Sequence, residues 1–319
     1  MKVAVIGRGF GANAMKPGFE AAGWEVELVP SRDEGAVAAA CEGDFDLIAV
    51  HSPPFQHREH VLRAIAAGKD VLCDKPFGAS GAQAREMRDA ARAAGVLHFV
   101  NYEFRHDAVR SKVAELIASG AIGRPVHATY RTYNNFTAKR DHGWLNDAAL
   151  GGGWLGALGS HIIDMMRWQL GADVSDCGGV SRLDVPVRSD GDGGQVGGTA
   201  EDAFAFWMTF TNGATATVEA ASAGAVNLAP QVAYLGSEGA IEVTGDNTVV
   251  LHRPGEEPES FAFDANQGAA MFGALGGWIG AIENAIKTRE QIIPSFDEGV
   301  AVGEVMDMLK ARFVRPPAG

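Results

Sequence analysis

The chain has 319 residues, 46% apolar and 21% charged, with 41 glycines, 13 prolines, 3 cysteines and a net charge of −13. That composition excludes disorder and collagen-like repeats, and the length suits two compact domains. The acidic balance argues against nucleic-acid binding, and the odd count Cys41, Cys73 and Cys177, without metal-ligand spacing, points away from disulfides and metal and toward a reducing cytoplasm.

The first apolar run, 3–6, is too short for a signal-peptide core and reads as a buried strand. Further strands read at 24–29, 46–50, 70–73 and 96–100. Helical patterns fall at 34–41, 58–67, 83–94 and 111–119, the last ended by Gly120. This alternation predicts a parallel sheet with crossover helices. From about residue 126 the period becomes two. Phe204, Phe206, Met208 and Phe210 share one face of a run ending Thr211-Asn212-Gly213, a hairpin signal, and 215–220, 231–235 and 240–244 add strands. The second half therefore predicts a large, mainly antiparallel, open-faced sheet whose Phe204, Phe206 and Met208 face needs a cover. Residues 189–199 read as a glycine-rich mobile loop, and helices are predicted at 278–287 and 298–313. The uncharged stretch 268–282 is too short and too rich in glycine to span a bilayer.

The first strand runs into Gly7-Arg8-Gly9-Phe10-Gly11-Ala12 and then a helical pattern, matching G-x-G-x-x-[GA]. Such glycines let the chain turn tightly and bring backbone N–H groups to a pyrophosphate at a helix N-terminus. Gly7, Gly9, Phe10, Gly11 and Ala12 are the candidate contacts of a Rossmann dinucleotide site; an ordinary glycine-rich turn is the alternative. Pro17-Gly18 predicts a short or kinked first helix. The second strand ends Val29-Pro30-Ser31-Arg32, without the acidic residue that usually holds the ribose hydroxyls. Ser31 and Arg32 suit a 2′-phosphate, which favours NADP(H) and leaves NAD(H) open through Asp33 or Glu27.

Several further segments follow in order: His51-Ser52-Pro53-Pro54-Phe55-Gln56-His57, Ala67-Gly68-Lys69-Asp70-Val71-Leu72-Cys73-Asp74-Lys75-Pro76, Asn101-Tyr102-Glu103-Phe104-Arg105, Gly120-Ala121-Ile122-Gly123-Arg124-Pro125, Gly151-Gly152-Gly153 and Gly159-Ser160-His161-Ile162-Ile163-Asp164. Together they resemble the glucose–fructose oxidoreductase, inositol dehydrogenase and MocA family, whose E-K-P hallmark here reads Asp74-Lys75-Pro76. The likeness covers nearly the whole chain. It implies an α/β protein with a doubly wound Rossmann domain at 1–121 and an α+β domain at 122–319. It also implies an NAD(P)-dependent oxidoreductase acting on a CH–OH carbon of a sugar, inositol or related polyol, and a homodimer or homotetramer whose second subunit covers the open sheet. Alternatives are a non-catalytic nucleotide-binding regulator, as some members are, and an enzyme of a non-sugar carbonyl or dihydrodiol.

Two departures from the family stand out. Four residues before His161, where relatives carry Asp, this chain has Ala157. Between Arg32 and Asp46 there is room for one short helix where relatives add a strand and a helix, so one edge βα unit is shortened. Hydride transfer from a carbinol requires a group to take the hydroxyl proton. Lys75 follows a strand at the carboxyl edge, where open α/β sheets bind ligands, and is the candidate for holding the substrate oxygen; a surface lysine is the alternative. His161, with an ordinary pKa of about 6.5, is the candidate general acid or base, with Ser160 capping its helix at 162–170; a core histidine is the alternative. Asp164 can orient it, and Asp147 or Asp164 can supply the carboxylate absent at Ala157. The resemblance assigns Ser52, Pro53, Pro54, His57, Asp74, Lys75 and Pro76 to the cofactor. It places Tyr102, Arg105, His142, Trp144 and Trp154 along the substrate cleft.

Overall fold

The computed structural model describes residues 1–245, 247–263 and 270–316, so Gly268 and Ala269 of the uncharged stretch lie outside the described residues. The chain begins with β1 (Lys2–Ile6), a π-helical turn (Gly11–Met15) that continues as α1 (Lys16–Ala21), β2 (Glu25–Val29), α2 (Glu34–Glu42), β3 (Leu47–Val50), α3 (Pro54–Ala66), β4 (Asp70–Cys73), α4 (Gly81–Ala94) and β5 (His98–Val100). It continues with α5 (Ala108–Ala118), β6 (Pro125–Tyr133), a second π-helical turn (Leu155–Gly159) running into α6 (Ser160–Leu170), and β7 (Val174–Arg182). Then come β8 (Val187–Ser189), β9 (Gln195–Gly197), β10 (Ala203–Phe210), β11 (Thr215–Ala221), β12 (Gln231–Gly236), β13 (Ala240–Thr244), β14 (Thr248–His252), β15 (Glu259–Ala262), α7 (Ala270–Thr288), α8 (Phe296–Arg312) and β16 (Phe313–Val314). Two compact units result: Met1–Asp107 with Gln267–Glu304, and Ala108–Asn266 with Val305–Gly319.

In the first unit five strands pair in parallel in the order β2-β1-β3-β4-β5. Every residue of β3 and β4 is buried, as expected of a parallel sheet covered on both faces. The connection from β2 to β3 holds α2 alone, which leaves β2 at the edge and confirms the shortened unit. The strand order reverses between β1 and β3, the switch point at which such sheets bind ligands. Pro17 begins α1 after the π-helical turn, giving the short, irregular first helix the sequence predicts. The core also draws on α7: Leu275, Trp278, Ile279 and Ile282 are buried with Val3, Phe19, Leu47, Leu72 and Phe99.

In the second unit nine strands run in the order β15-β14-β13-β12-β6-β11-β10-β7-β16. All pairings are antiparallel except β11 with β6 and β16 with β7. Gly213 takes φ +85° in the predicted Asn-Gly turn, and Asn212 Oδ1 accepts the Ala214 N–H at 3.1 Å.

Three readings need correction. Phe204, Phe206 and Met208 do not await a partner: they are 4%, 3% and 0% exposed. The Phe204 ring reaches Gly159, where a Cβ would stand 3.3 Å from it, so the helical stretch from Leu155 covers that face. The open face is the opposite one, carrying Val180, Trp207 and Leu235, all exposed. Residues 189–199 are not an irregular loop throughout, because β8 and β9 form a short hairpin. Asp190 Oδ1 accepts the N–H groups of Asp192 and Gly194 at its tip, and Gly191 and Gly193 supply the positive φ. Ser160 does not cap its helix: it lies inside the helical stretch and its Oγ donates to the Gly156 carbonyl at 2.7 Å. Among the described residues no helix is long and apolar enough to cross a membrane.

Candidate functional site

The carboxyl ends of the first unit's strands bring several sequence-flagged segments together. Gly7 N–H donates to Val29 O at 3.0 Å, His51 N–H to Ile6 O at 2.8 Å, Asp74 N–H to Val50 O at 2.8 Å, and Asn101 N–H to Cys73 O at 2.8 Å. Gly7 has φ +127°, and a Cβ there would lie 2.3 Å from His51 O, so no other residue fits. A Cβ on Gly11 would meet Val5 Cγ1 at 3.0 Å and His51 Cβ at 3.1 Å, which seats the helical turn tightly on the sheet. Gly9 differs, since a Cβ there would enter open space. No side chain caps this helical start at Phe10, and the first amides of a helical stretch lack intrahelical acceptors. An open glycine above an uncapped helix start fits the phosphates of a dinucleotide.

At the edge strand, Ser31 is half-buried and its carbonyl accepts from Gln56 Nε2 at 3.0 Å, while Arg32 is exposed. Asp33 is engaged elsewhere, its Oδ1 accepting the Ala36 N–H at 3.0 Å as the cap of α2. Glu27 lies in mid-strand opposite Ala4.

A buried polar cluster joins the two turns that follow β3 and β4. His51 Nδ1 is 3.4 Å from Asp74 Oδ2, and the Phe10 ring lies 6.0 Å from the His51 ring. Asp74 Oδ1 accepts the Lys75 N–H at 2.9 Å and Asn101 Nδ2 at 3.4 Å. Burial works to raise the Asp74 carboxyl, but His51 beside it, followed by Lys75 and His57, holds it well below the ordinary carboxylate range. His57 is buried, with Nε2 2.7 Å from Ser52 O and Nδ1 3.1 Å from Pro76 O. Burial lowers its pKa; a neutral ring has one N–H, and the shorter contact fits donation to Ser52 O. His57 thus ties the Ser52 turn to Pro76 and is no exposed helix-start residue. His60, pushed down to about 4 by burial, places Nδ1 3.0 Å from Ser52 Oγ. Lys75 is half-buried, and Pro53 and Pro54 open α3.

The depressed Asp74 pKa carries a sign. Ionised Asp74 stabilises the fold above its unfolded pKa of about 3.9, and that contribution is lost as pH falls toward the lower folded value. Asp74→Asn is therefore expected to lower the thermal midpoint at neutral pH, with the gap to the parent closing as the melts are run in increasingly acid buffer. A gap unchanged by acid would contradict the ionised assignment.

In the first unit, after β5, Tyr102 is buried just before the 3₁₀ turn Glu103–His106 and Arg105 is buried within it. The remaining assigned residues belong to the second. His142 N–H donates to Ser189 O at 2.7 Å, and Trp144 opens a 3₁₀ turn ended at Asn146. Asp147 Oδ1 accepts from Ala149 N–H at 2.9 Å and Thr199 Oγ1 at 3.3 Å, so its carboxylate is committed to a local cap. Gly152 and Gly153 seal this loop, for a Cβ on Gly152 would stand 2.3 Å from Trp144 O. Trp154 is buried with its ring 5.5 Å from Phe136. His161 and Asp164 are both buried on α6, 4% and 1% exposed. Lys75 belongs to the first unit and His161 with Asp164 to the second.

His51 and Asn101, which stand in the quoted segments, were not assigned to the site, nor was Glu201 of the second unit, whose Oε1 accepts the Leu155 N–H at 3.0 Å. Asn101, like His51 and Asp74, is the first residue after a parallel strand, a positional rule that would have found it. Glu201 carries no motif.

A doubly wound sheet with a glycine turn at its switch point defines a dinucleotide-binding α/β protein. The chain belongs to the Gfo/Idh/MocA oxidoreductase family: residues 37–102 match the model described as oxidoreductase family, NAD-binding Rossmann fold, and residues 111–242 match the GFO/IDH/MocA C-terminal domain. It is 34% identical over 157 residues to 1,5-anhydro-D-fructose reductase of Ensifer adhaerens, covering 49% of this chain and 46% of that protein. It is 27% identical over 194 residues to levoglucosan dehydrogenase of Pseudarthrobacter phenanthrenivorans, covering 56% and 49%. The chain thus spans about half the length of these curated relatives. Its fold is similar to a levoglucosan dehydrogenase in complex with NADH and levoglucosan, at TM-score 0.87 and 20% identity over 98% of this chain and 96% of that one. It is also similar to the super-repressor mutant of Gal80p from Saccharomyces cerevisiae, at TM-score 0.83 and 14% identity over 98% and 95%.

Proposed function

We propose that the chain is an NADP(H)-dependent oxidoreductase acting at a carbinol or carbonyl carbon of a sugar or related polyol, with the first compact unit, which includes α7, binding the nucleotide and the second binding the substrate. One observation carries this reading: Lys75 stands directly beyond β4, bonded through its N–H to Asp74, on the same sheet edge as the Gly7 turn. When bound, the nicotinamide supplies a hydride acceptor or donor. The Gly7–Ala12 turn and the Ser52, Pro53, Pro54, His57, Asp74 and Pro76 segments hold the cofactor. Lys75 hydrogen-bonds the substrate oxygen and stabilises negative charge there. His161 takes or returns the hydroxyl proton and Asp164 orients its ring. Tyr102, Arg105, His142, Trp144 and Trp154 offer aromatic faces and polar groups to a polyhydroxylated ring. A second copy covering the Val180, Trp207 and Leu235 face makes a homodimer or homotetramer, and three buried free thiols suit a reducing cytoplasm.

The NADP(H) preference is supported by Asp33 being occupied and Glu27 lying in mid-strand, while Arg32 is exposed just past the strand. One charge-assisted contact to the 2′-phosphate is worth about 1.5–3 kcal/mol, so paired titrations are expected to give a Kd for NADP+ at least about tenfold below that for NAD+. Arg32→Ala should erase the difference, and an NAD+ preference in the parent would overturn the assignment.

The activity is tested by following reduced-nicotinamide absorbance with 1,5-anhydro-D-fructose, levoglucosan, inositols and a dihydrodiol. Turnover of a sugar or polyol is expected. Ala157 in place of the family Asp favours a second reading, a nucleotide-binding regulator; tight nucleotide binding without turnover of any panel compound would support it instead.

A further inference from the structure

We propose that Glu201 is a positioning residue of this site, the group that fixes the turn from which the His161 helix starts. The proposal rests on the reading that His161 acts in proton transfer. Glu201 precedes Asp202, which is rigidly anchored: its Oδ1 accepts Arg188 Nη2 at 2.6 Å in an ion pair whose side chains are 1% and 3% exposed, and its Oδ2 accepts the Val185 N–H at 3.0 Å. From that base Glu201 reaches two successive amides. Its carbonyl accepts the Trp154 N–H at 2.9 Å and its Oε1 accepts the Leu155 N–H at 3.0 Å. Leu155 opens the helical stretch that runs through α6 to Leu170. Amides at such a start have no acceptor of their own helix, and a negative group there is favoured by the helix dipole.

The backbone is shaped around this carboxylate. Gly153 has φ +114°, and a Cβ on it would stand 2.2 Å from Glu201 Oε1, so only glycine lets the carboxylate lie against the turn. Residues 151–163 contain no acidic side chain; the negative group at this helix start comes from Glu201, across the chain. Burial pushes its carboxyl above the ordinary value, and the Leu155 N–H opposes the rise. His161 lies under two turns beyond Leu155 on the same rigid stretch, so loss of the anchor displaces the imidazole. Small misplacements of a catalytic group cost about 100-fold in rate.

The test compares Glu201→Ala and Glu201→Gln by steady-state kinetics on a panel sugar turned over by the parent, and by hydrogen–deuterium exchange of the peptide spanning 152–160. Glu201→Ala is expected to lower kcat about 100-fold with cofactor KM unchanged, and to speed exchange in that peptide. Glu201→Gln keeps an oxygen to accept the Leu155 N–H and is expected to restore most of kcat and the slow exchange. Should the alanine variant fail to fold, Glu201→Asp, one methylene short of the amide, replaces it with the same expected losses. Unchanged kcat and exchange in the truncated variant, or a glutamine variant as impaired as alanine, would overturn the positioning role. If the parent turns over no sugar, the functional reading fails, while the exchange comparison still decides whether Glu201 holds the turn.

Discussion

Lys75→Ala is expected to lower kcat by about 10²–10⁴-fold, the range associated with removal of a group that handles a proton or developing charge at the reacting oxygen. Lys75 is half-buried just beyond β4, and its backbone N–H is held by Asp74 Oδ1 at 2.9 Å. Truncating the side chain removes the ammonium from the substrate oxygen, and the loss in nucleotide affinity is expected to be far smaller than the loss in kcat. His161→Ala is expected to fall in the same range. The double variant should be little worse than either alone, because groups that act as a unit are not additive. Stopped-flow single turnovers with calorimetric nucleotide titrations separate the two quantities. Near-parental turnover in both single variants would end the assignment.

Gly7→Ala is expected to cost both stability and nucleotide binding. At φ +127° a side chain carries roughly 1–3 kcal/mol of backbone strain, and the added Cβ would sit 2.3 Å from His51 O and 2.9 Å from Ser52 N, both backbone atoms that cannot swing aside. Displacing β1's exit from the Ser52 turn by enough to cost the complex about 3 kcal/mol raises the nucleotide Kd about 100-fold. Gly9→Ala is the informative contrast, for its Cβ enters open space with no positive φ. The second variant should melt like the parent yet bind the nucleotide poorly, because the methyl fills the space intended for phosphate. Equal nucleotide affinity in the Gly9 variant and the parent would place the pyrophosphate elsewhere.

What could be read from the sequence was what short-range physics determines. The buried strands of the first unit announce themselves as unbroken apolar runs, and Gly7-Arg8-Gly9 sits where a strand must turn into a helix. Asn212-Gly213 marked its hairpin because positive φ favours those residues. The faces of the large sheet were harder: alternation shows that Phe204, Phe206 and Met208 share a side, but not that the stretch from Leu155 lies over them. The hairpin at 189–199 was hidden because its order comes from Asp190 accepting N–H groups across the tip, while its glycines alone suggest looseness. Ser160 looked like a cap because the π-helical turn before it leaves no trace in apolar periodicity. At the site, residues carried by motifs were legible, whereas Glu201 carries no motif and reaches the Leu155 N–H from 46 residues away along the chain.

Deuteride transfer tests the central claim most directly. The protein is incubated with reduced nicotinamide cofactor deuterated on the transferring carbon and with 1,5-anhydro-D-fructose or the keto form of a panel polyol, and the product is examined by mass spectrometry. The account predicts one deuterium on the new carbinol carbon, strongly diminished with Lys75→Ala. Tight cofactor binding with no deuterium in any product would contradict it.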